Sequence, residues 1–204
     1  MQKKSGSRTL LMSVIMSAPG PLVVGLGLLA GKSATQLADF FRRSAELLAI
    51  IVAFIVYRAT NKDGAVDEAR KARLEHRSNL FVGAMMCVSG AVMLLLAALG
   101  GNAEKGNVIP GLVIALLGVI ANTIFWLRYT KLSRQSGNAI LAVQGRLYRA
   151  KALVDICVTM VLLSVALFPL AKVTGWLDRI GSVIVALYLM GCGVKTIREN
   201  QGKG

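Results

Sequence analysis

Six apolar runs divide this sequence, each about 20 residues long, which is the length a helix needs to cross a bilayer. They cover approximately Leu10–Ala30, Thr35–Tyr57, Leu80–Leu99, Val108–Leu127, Leu141–Leu170 and Leu177–Val194. A soluble domain of 204 residues has no use for a 55% hydrophobic composition and a mean hydropathy of +0.62. The first run is not a cleavable signal peptide, because it is too long, is broken by Pro19 and Pro21, and is followed by five more. The expected fold is therefore all-α and polytopic, with six transmembrane helices in one transmembrane domain over residues 1–204. Only about ten residues follow the last run, too few for a folded cytoplasmic domain.

The charge of +14 is distributed by side. The N-terminal segment (Lys3, Lys4, Arg8), the loop after the second run (Arg58 to Arg77), the loop after the fourth (Arg128, Lys131, Arg134) and the tail (Lys195, Arg198, Lys203) carry fifteen basic residues. The alternate connections carry four, Lys32, Lys105, Lys172 and Arg179. The positive-inside rule then puts both termini in the cytoplasm. The basic excess reads as a topology signal and not as a nucleic-acid footprint. The expected location is a plasma membrane, of the bacterial inner-membrane type.

One run departs from the apolar pattern. "LADFFRRSAELLAIIVAF" carries Asp39, Arg42, Arg43 and Glu46 inside a span, where each charge costs roughly 2.5–3.5 kcal/mol on insertion scales. In a helix Arg42 and Glu46 are i, i+4 neighbours, as are Asp39 and Arg43 on an adjacent face. The fifth run repeats the arrangement with Lys151 and Asp155. Counting at 1.5 Å per residue places Glu46 and Asp155 at similar depths, about 20 Å in from the outer face. Arg42 then lies one turn toward the outside and Lys151 one turn toward the inside. If the second and fifth helices meet, the four charges form one column. That column reads either as a set of structural ion pairs or as a substrate or proton site, since intramembrane ionisable groups commonly mark pathways. Arg146 and Arg149 are near enough to the cytoplasmic end to snorkel, and Tyr148 reads as an interface aromatic.

Other features are weaker signals. Cys87, Cys157 and Cys192 fall in different spans without CxxC spacing and read as small buried apolar residues. His76 reads as a surface residue of a charged loop. That loop, "RATNKDGAVDEARKARLEHRSN", has the helical charge spacing of a turn followed by an extension of the third helix, with Asp67 and Lys71 as an i, i+4 pair. Pro19-Gly20-Pro21 predicts a kink, and freed carbonyls at such a kink can serve a polar site.

The segment "LADFFRRSAE" and the six-span pattern resemble the transmembrane part of the cation diffusion facilitator family. The resemblance implies a six-helix bundle with both termini cytoplasmic, working as a homodimer that exchanges a divalent metal cation for protons. It also implies a site on the second and fifth helices, in a segment like "LADxxHxxxD". Leu37, Ala38 and Asp39 match, with Arg42 at the first ligand position and Glu46 at the second. On the fifth helix an ungapped alignment puts Leu147 and Lys151 at those positions, and a shift of one turn puts Lys151 and Asp155 there. Zinc prefers imidazole, thiolate or carboxylate, no span contains histidine, and arginine cannot deprotonate to become a ligand. We therefore expect no metal site and no cofactor. The substrate-binding residues are expected to be Glu46, Asp155, Arg42, Lys151 and Asp39.

These residues point to a secondary transporter for a cation or other small charged substrate. The alternative is a non-transporting relative that serves as a membrane scaffold or regulatory subunit. An enzyme is not expected, because the spans hold no nucleophile–base pair and no metal motif.

Overall fold

The computed structural model describes residues 2–30, 34–61, 67–99, 109–167 and 173–201. Among these residues the chain is helical, as expected, in the order α1 (Gln2–Ser17), α2 (Pro19–Ala30), α3 (Ala34–Asn61), α4 (Glu68–Leu99), α5 (Ile109–Ser136), α6 (Ala139–Leu167) and α7 (Val173–Gln201). The first two are halves of one rod. The Ala18 amide still donates to the Val14 carbonyl at 2.9 Å, and Pro19 then breaks the ladder. Six rods thus replace the six apolar runs. Four stretches among the described residues are long and apolar enough to cross a membrane: Ser5–Leu26, Glu68–Ala98, Leu112–Ser136 and Ile180–Gln201. The remaining two rods, α3 and α6, hold Arg42, Glu46, Lys151 and Asp155. The chain is an integral membrane protein.

The bundle is built inside out relative to a soluble domain. Large apolar side chains such as Leu22, Val23, Leu26 and Ile114 point outward, about two-thirds exposed in the bare chain. Lipid tails are as apolar as leucine, so helix association depends on close fit and polar contacts. Both are present. On α3, Ala45, Ala49 and Ala53 form a buried ladder of small residues, while Phe41, Leu48 and Ile55 face out. α4 packs closely along α7, and a Cβ at Gly193 would come 2.7 Å from the Gly83 carbonyl oxygen and 2.6 Å from the Cys87 sulfur. Only glycine fits there without displacing backbone.

α5 and α6 form a helical hairpin whose turn is written in "SGN". Gly137 closes α5 with φ of 64°, and its amide donates to the Ser133 carbonyl at 2.8 Å. Asn138 caps α6 by accepting from the Leu141 amide at 3.2 Å, while its own side-chain amide donates to Glu75 of α4 at 3.1 Å. At the same end, Asn79 of α4 donates to Asn200 of α7, and Gly6 of α1 lies against the Tyr57 hydroxyl of α3. The basic ends of α3, α4, α5 and α7 therefore gather on one side.

α4 begins as a helical extension at Glu68, as the charge spacing predicts, but its pairing differs. Asp67 caps the helix through the Ala69 amide at 3.4 Å, and Lys71 pairs with Glu68 instead, at 3.4 Å. His76 lies on this helix, not in a loop, and is half-buried, since α4 starts eight residues before it and turns that face inward. The three cysteines are free and half-buried.

Candidate functional site

Glu46 is the anchor. It lies in the buried stripe of α3, 6% exposed, between the alanines that let neighbouring helices approach. The Arg42 guanidinium donates to its Oε1 at 3.1 Å, the i, i+4 pair expected from spacing. Its second oxygen, Oε2, faces the Lys151 ammonium of α6 at 3.6 Å. The second and fifth membrane rods thus meet through this contact, and one carboxylate lies between two cations. Asp39 is placed on α3, but its side chain lies outside the described residues, and with it the expected Asp39–Arg43 pair. Arg43 runs along Gly20 of α2.

On α6 the pairing differs from the expectation. Lys151 and Asp155 occupy the same helix at i, i+4, yet Lys151 makes its ion pair with Glu46 and not with Asp155. The physical reason is reach: the lysine stem extends across the helix gap to Glu46 Oε2, while the short Asp155 side chain turns to α5. There Asp155 accepts a hydrogen bond from the Asn122 side-chain amide and lies against Gly118, where a Cβ would come 2.7 Å from its Oδ2. Glycine at 118 makes room for the carboxylate.

Tyr148 is not an interface aromatic. It is 1% exposed, packed against Phe125 and Tyr129 of α5 with ring centroids 5.1 and 5.3 Å away. Position 148 falls three residues before Lys151, so both share the face of α6 that looks into the bundle. The Lys151 ammonium lies 5.0 Å from the Tyr148 ring, in cation–π range. Arg146 and Arg149 do more than snorkel. Arg146 bridges Glu199 of α7 at 2.7 Å, and Arg149 lies over Trp126 and Tyr188. Both tie α6 to its neighbours.

Three residues of the cluster were not singled out from sequence. Ser17, the last residue of α1, hydrogen-bonds to the Lys151 ammonium at 3.4 Å and to the Tyr148 hydroxyl at 3.2 Å. Ser89 of α4 donates to the Arg42 carbonyl at 3.5 Å. Asn122 was legible as a lone amide in an apolar run. Ser17 carried only its position two residues before Pro19.

Among the described side chains of the cluster, Arg42 and Lys151 stand against Glu46 and Asp155. The side chains of Arg42, Glu46 and Lys151 are 12%, 7% and 15% exposed, so screening by water is slight and each charge needs its partner. Among the described residues no three His, Cys, Asp or Glu side chains come together to hold a metal ion. The arrangement can hold a charged group by exchanging one of its own pairs for it. Because both signs are present, either a cation or an anion can make that exchange.

The cation efflux transmembrane domain matches residues 10–201, almost the whole chain. The chain belongs to the cation efflux family. No curated protein matches it. Cation efflux proteins are membrane transporters and not enzymes, and the helical bundle described above is the transmembrane part that the family shares.

Proposed function

We propose that this chain is a secondary transporter that moves a cation or other small charged substrate through a site between α3 and α6, coupled to protons. The observation that carries the reading is Glu46, a buried carboxylate in the middle of a membrane helix, facing a cation on a second helix at 3.6 Å. Burying such a pair is costly and seldom improves stability over an apolar pair, so its presence favours function. Glu46 and Asp155 are the groups that bind the cationic part of a substrate or exchange protons. Arg42 and Lys151 tune them or hold an anionic part, and Asp39 belongs to the outer approach. The transporter works as a homodimer in a plasma membrane of the bacterial inner-membrane type, with both termini in the cytoplasm.

The donor set argues against zinc as the cargo. Any metal would have to share Glu46 with two resident cations, and the described part of the site offers no imidazole. The test is proton flux in proteoliposomes, read with a trapped pH dye while sodium, potassium, alkylammonium, manganese or zinc is offered. The reading requires at least one cation to drive flux that Glu46→Gln abolishes. No flux with any of them would return the chain to the scaffold alternative.

A further inference from the structure

The Lys151 ammonium occupies a pocket with the composition of a cation site. Glu46 Oε2 lies 3.6 Å from it, Ser17 Oγ lies 3.4 Å from it, and the Tyr148 ring presents its face at 5.0 Å. A carboxylate oxygen, a hydroxyl and an aromatic face are what a protein uses to receive a small ammonium ion in an apolar setting. The other carboxylate oxygen of Glu46, Oε1, accepts from Arg42, while Oε2 faces this pocket. The contacts are longer than the 2.7–2.9 Å typical of a tight charge-assisted hydrogen bond. The ammonium is cradled by charge and ring and is not locked by geometry.

We infer that Glu46, Ser17 and Tyr148 form a binding site for a small primary ammonium ion, which the protein fills with its own Lys151. The inference rests on the reading of the α3–α6 cluster as a charge-handling site, and extends it to a ligand class. Filled from within, the site keeps Glu46 neutralised when no cargo is bound, so the bundle can rearrange empty without stranding a charge. A free amine has to compete with this tethered side chain, so the site takes one readily only when the lysine is shortened.

Truncation of the lysine tests this. Lys151→Ala removes four heavy atoms, Cγ to Nζ, and n-propylammonium supplies the same three carbons and nitrogen. Thermal unfolding of the purified full chain is measured in n-propylammonium chloride and in equal concentrations of sodium chloride, tetramethylammonium chloride and n-propanol. The expected result is a lowered Tm for Lys151→Ala that rises saturably with n-propylammonium, by about 3 °C or more, because only the folded state binds it. Tetramethylammonium, which cannot donate a hydrogen bond, and uncharged propanol should do no more than sodium chloride. Wild type and Lys151→Met, whose pockets are filled, should show no such rise, and neither should Lys151→Ala combined with Glu46→Gln. If Lys151→Ala is recovered folded only from buffer containing n-propylammonium, the inference is supported. Equal shifts in all variants, no shift in Lys151→Ala, or failure to recover it in either buffer overturns it. The readout does not depend on flux, so a protein that transports nothing can still pass, and a failed rescue leaves transport through Glu46 open.

Discussion

Lys151 sets its ammonium against Glu46 of α3, 3.6 Å away, although Asp155 stands one turn along its own helix. That choice links Arg42, Glu46 and Lys151 in an ion chain across two helices, with Asp155 held apart by Asn122 of α5. Two intrahelical pairs would leave α3 and α6 electrostatically independent. The observed chain couples them, so a change of protonation or occupancy at Glu46 is felt on both helices.

Replacement of Glu46 by leucine leaves Arg42 and Lys151 facing each other without their shared carboxylate. Breaking a buried pair in this way costs about 3–5 kcal/mol. Arg42→Met alone should cost less, because Lys151 still neutralises Glu46. The neutral repacking that restores stability needs all three changes, Arg42→Met, Glu46→Leu and Lys151→Met. Reversible unfolding in mixed micelles checks the order: Glu46→Leu worst, the triple variant near wild type. A triple variant that is stable yet inactive in flux assays assigns the chain to function. One that transports normally assigns it to structure.

The sequence made the rods legible because lipid imposes a length and a composition on any spanning helix, and the i, i+4 rule gave Arg42–Glu46 directly. It also marked α3 and α6 as the helices that bear charge. The partner of Lys151 was not legible, because spacing along one helix says nothing about how far a neighbouring helix is rotated toward it. The same limit explains Tyr148, whose sequence neighbours suggested an interface and whose helix phase puts it in the core. Ser17 lacked any local pattern, and Asn122 was marked only as a lone amide in an apolar run; they matter because a proline break and a glycine at 118 bring them to the charges.

Gly118 gives Asp155 its place. In Gly118→Ala the new methyl would stand 2.7 Å from Asp155 Oδ2, and the carboxylate must leave its Asn122 donor. Overpacking of this kind costs about 1–3 kcal/mol. Flux should fall in Gly118→Ala and also in Asn122→Ala, which leaves the space but removes the donor. Unchanged flux in both would show that the position of Asp155 is immaterial to transport.

The α4–α7 seam offers a test of fold without the site. Gly193→Ala puts a methyl against both the Cys87 sulfur and the Gly83 carbonyl. The expected loss is about 1–3 kcal/mol. Adding Cys87→Ala should recover part of it and no more, because the carbonyl is backbone and cannot turn aside. Gly191→Ala, with nothing within 4 Å of the new methyl, should be neutral or slightly stabilising in a helix. Equal behaviour of the two glycine variants would mean that α4 and α7 do not approach as closely as described.

Zinc binding separates this chain from a carboxylate- and histidine-based cation site. The described residues hold no cluster of three His, Cys, Asp or Glu side chains, and Glu46 already serves Arg42 and Lys151. A divalent ion at Glu46 must displace the ammonium and remain beside the guanidinium, with no imidazole to compensate. Isothermal titration of the purified protein should therefore show no stoichiometric sub-micromolar zinc site that depends on Glu46. Replacing Lys151 with aspartate removes one resident cation and adds a carboxylate opposite Glu46, with Asp155 one turn away. In that variant divalent affinity should rise by tenfold or more, each tenfold corresponding to about 1.4 kcal/mol. A tight zinc site in wild type that is lost in Glu46→Gln would refute the resident-cation account. No gain in Lys151→Asp would show that Lys151 is not what keeps the metal out.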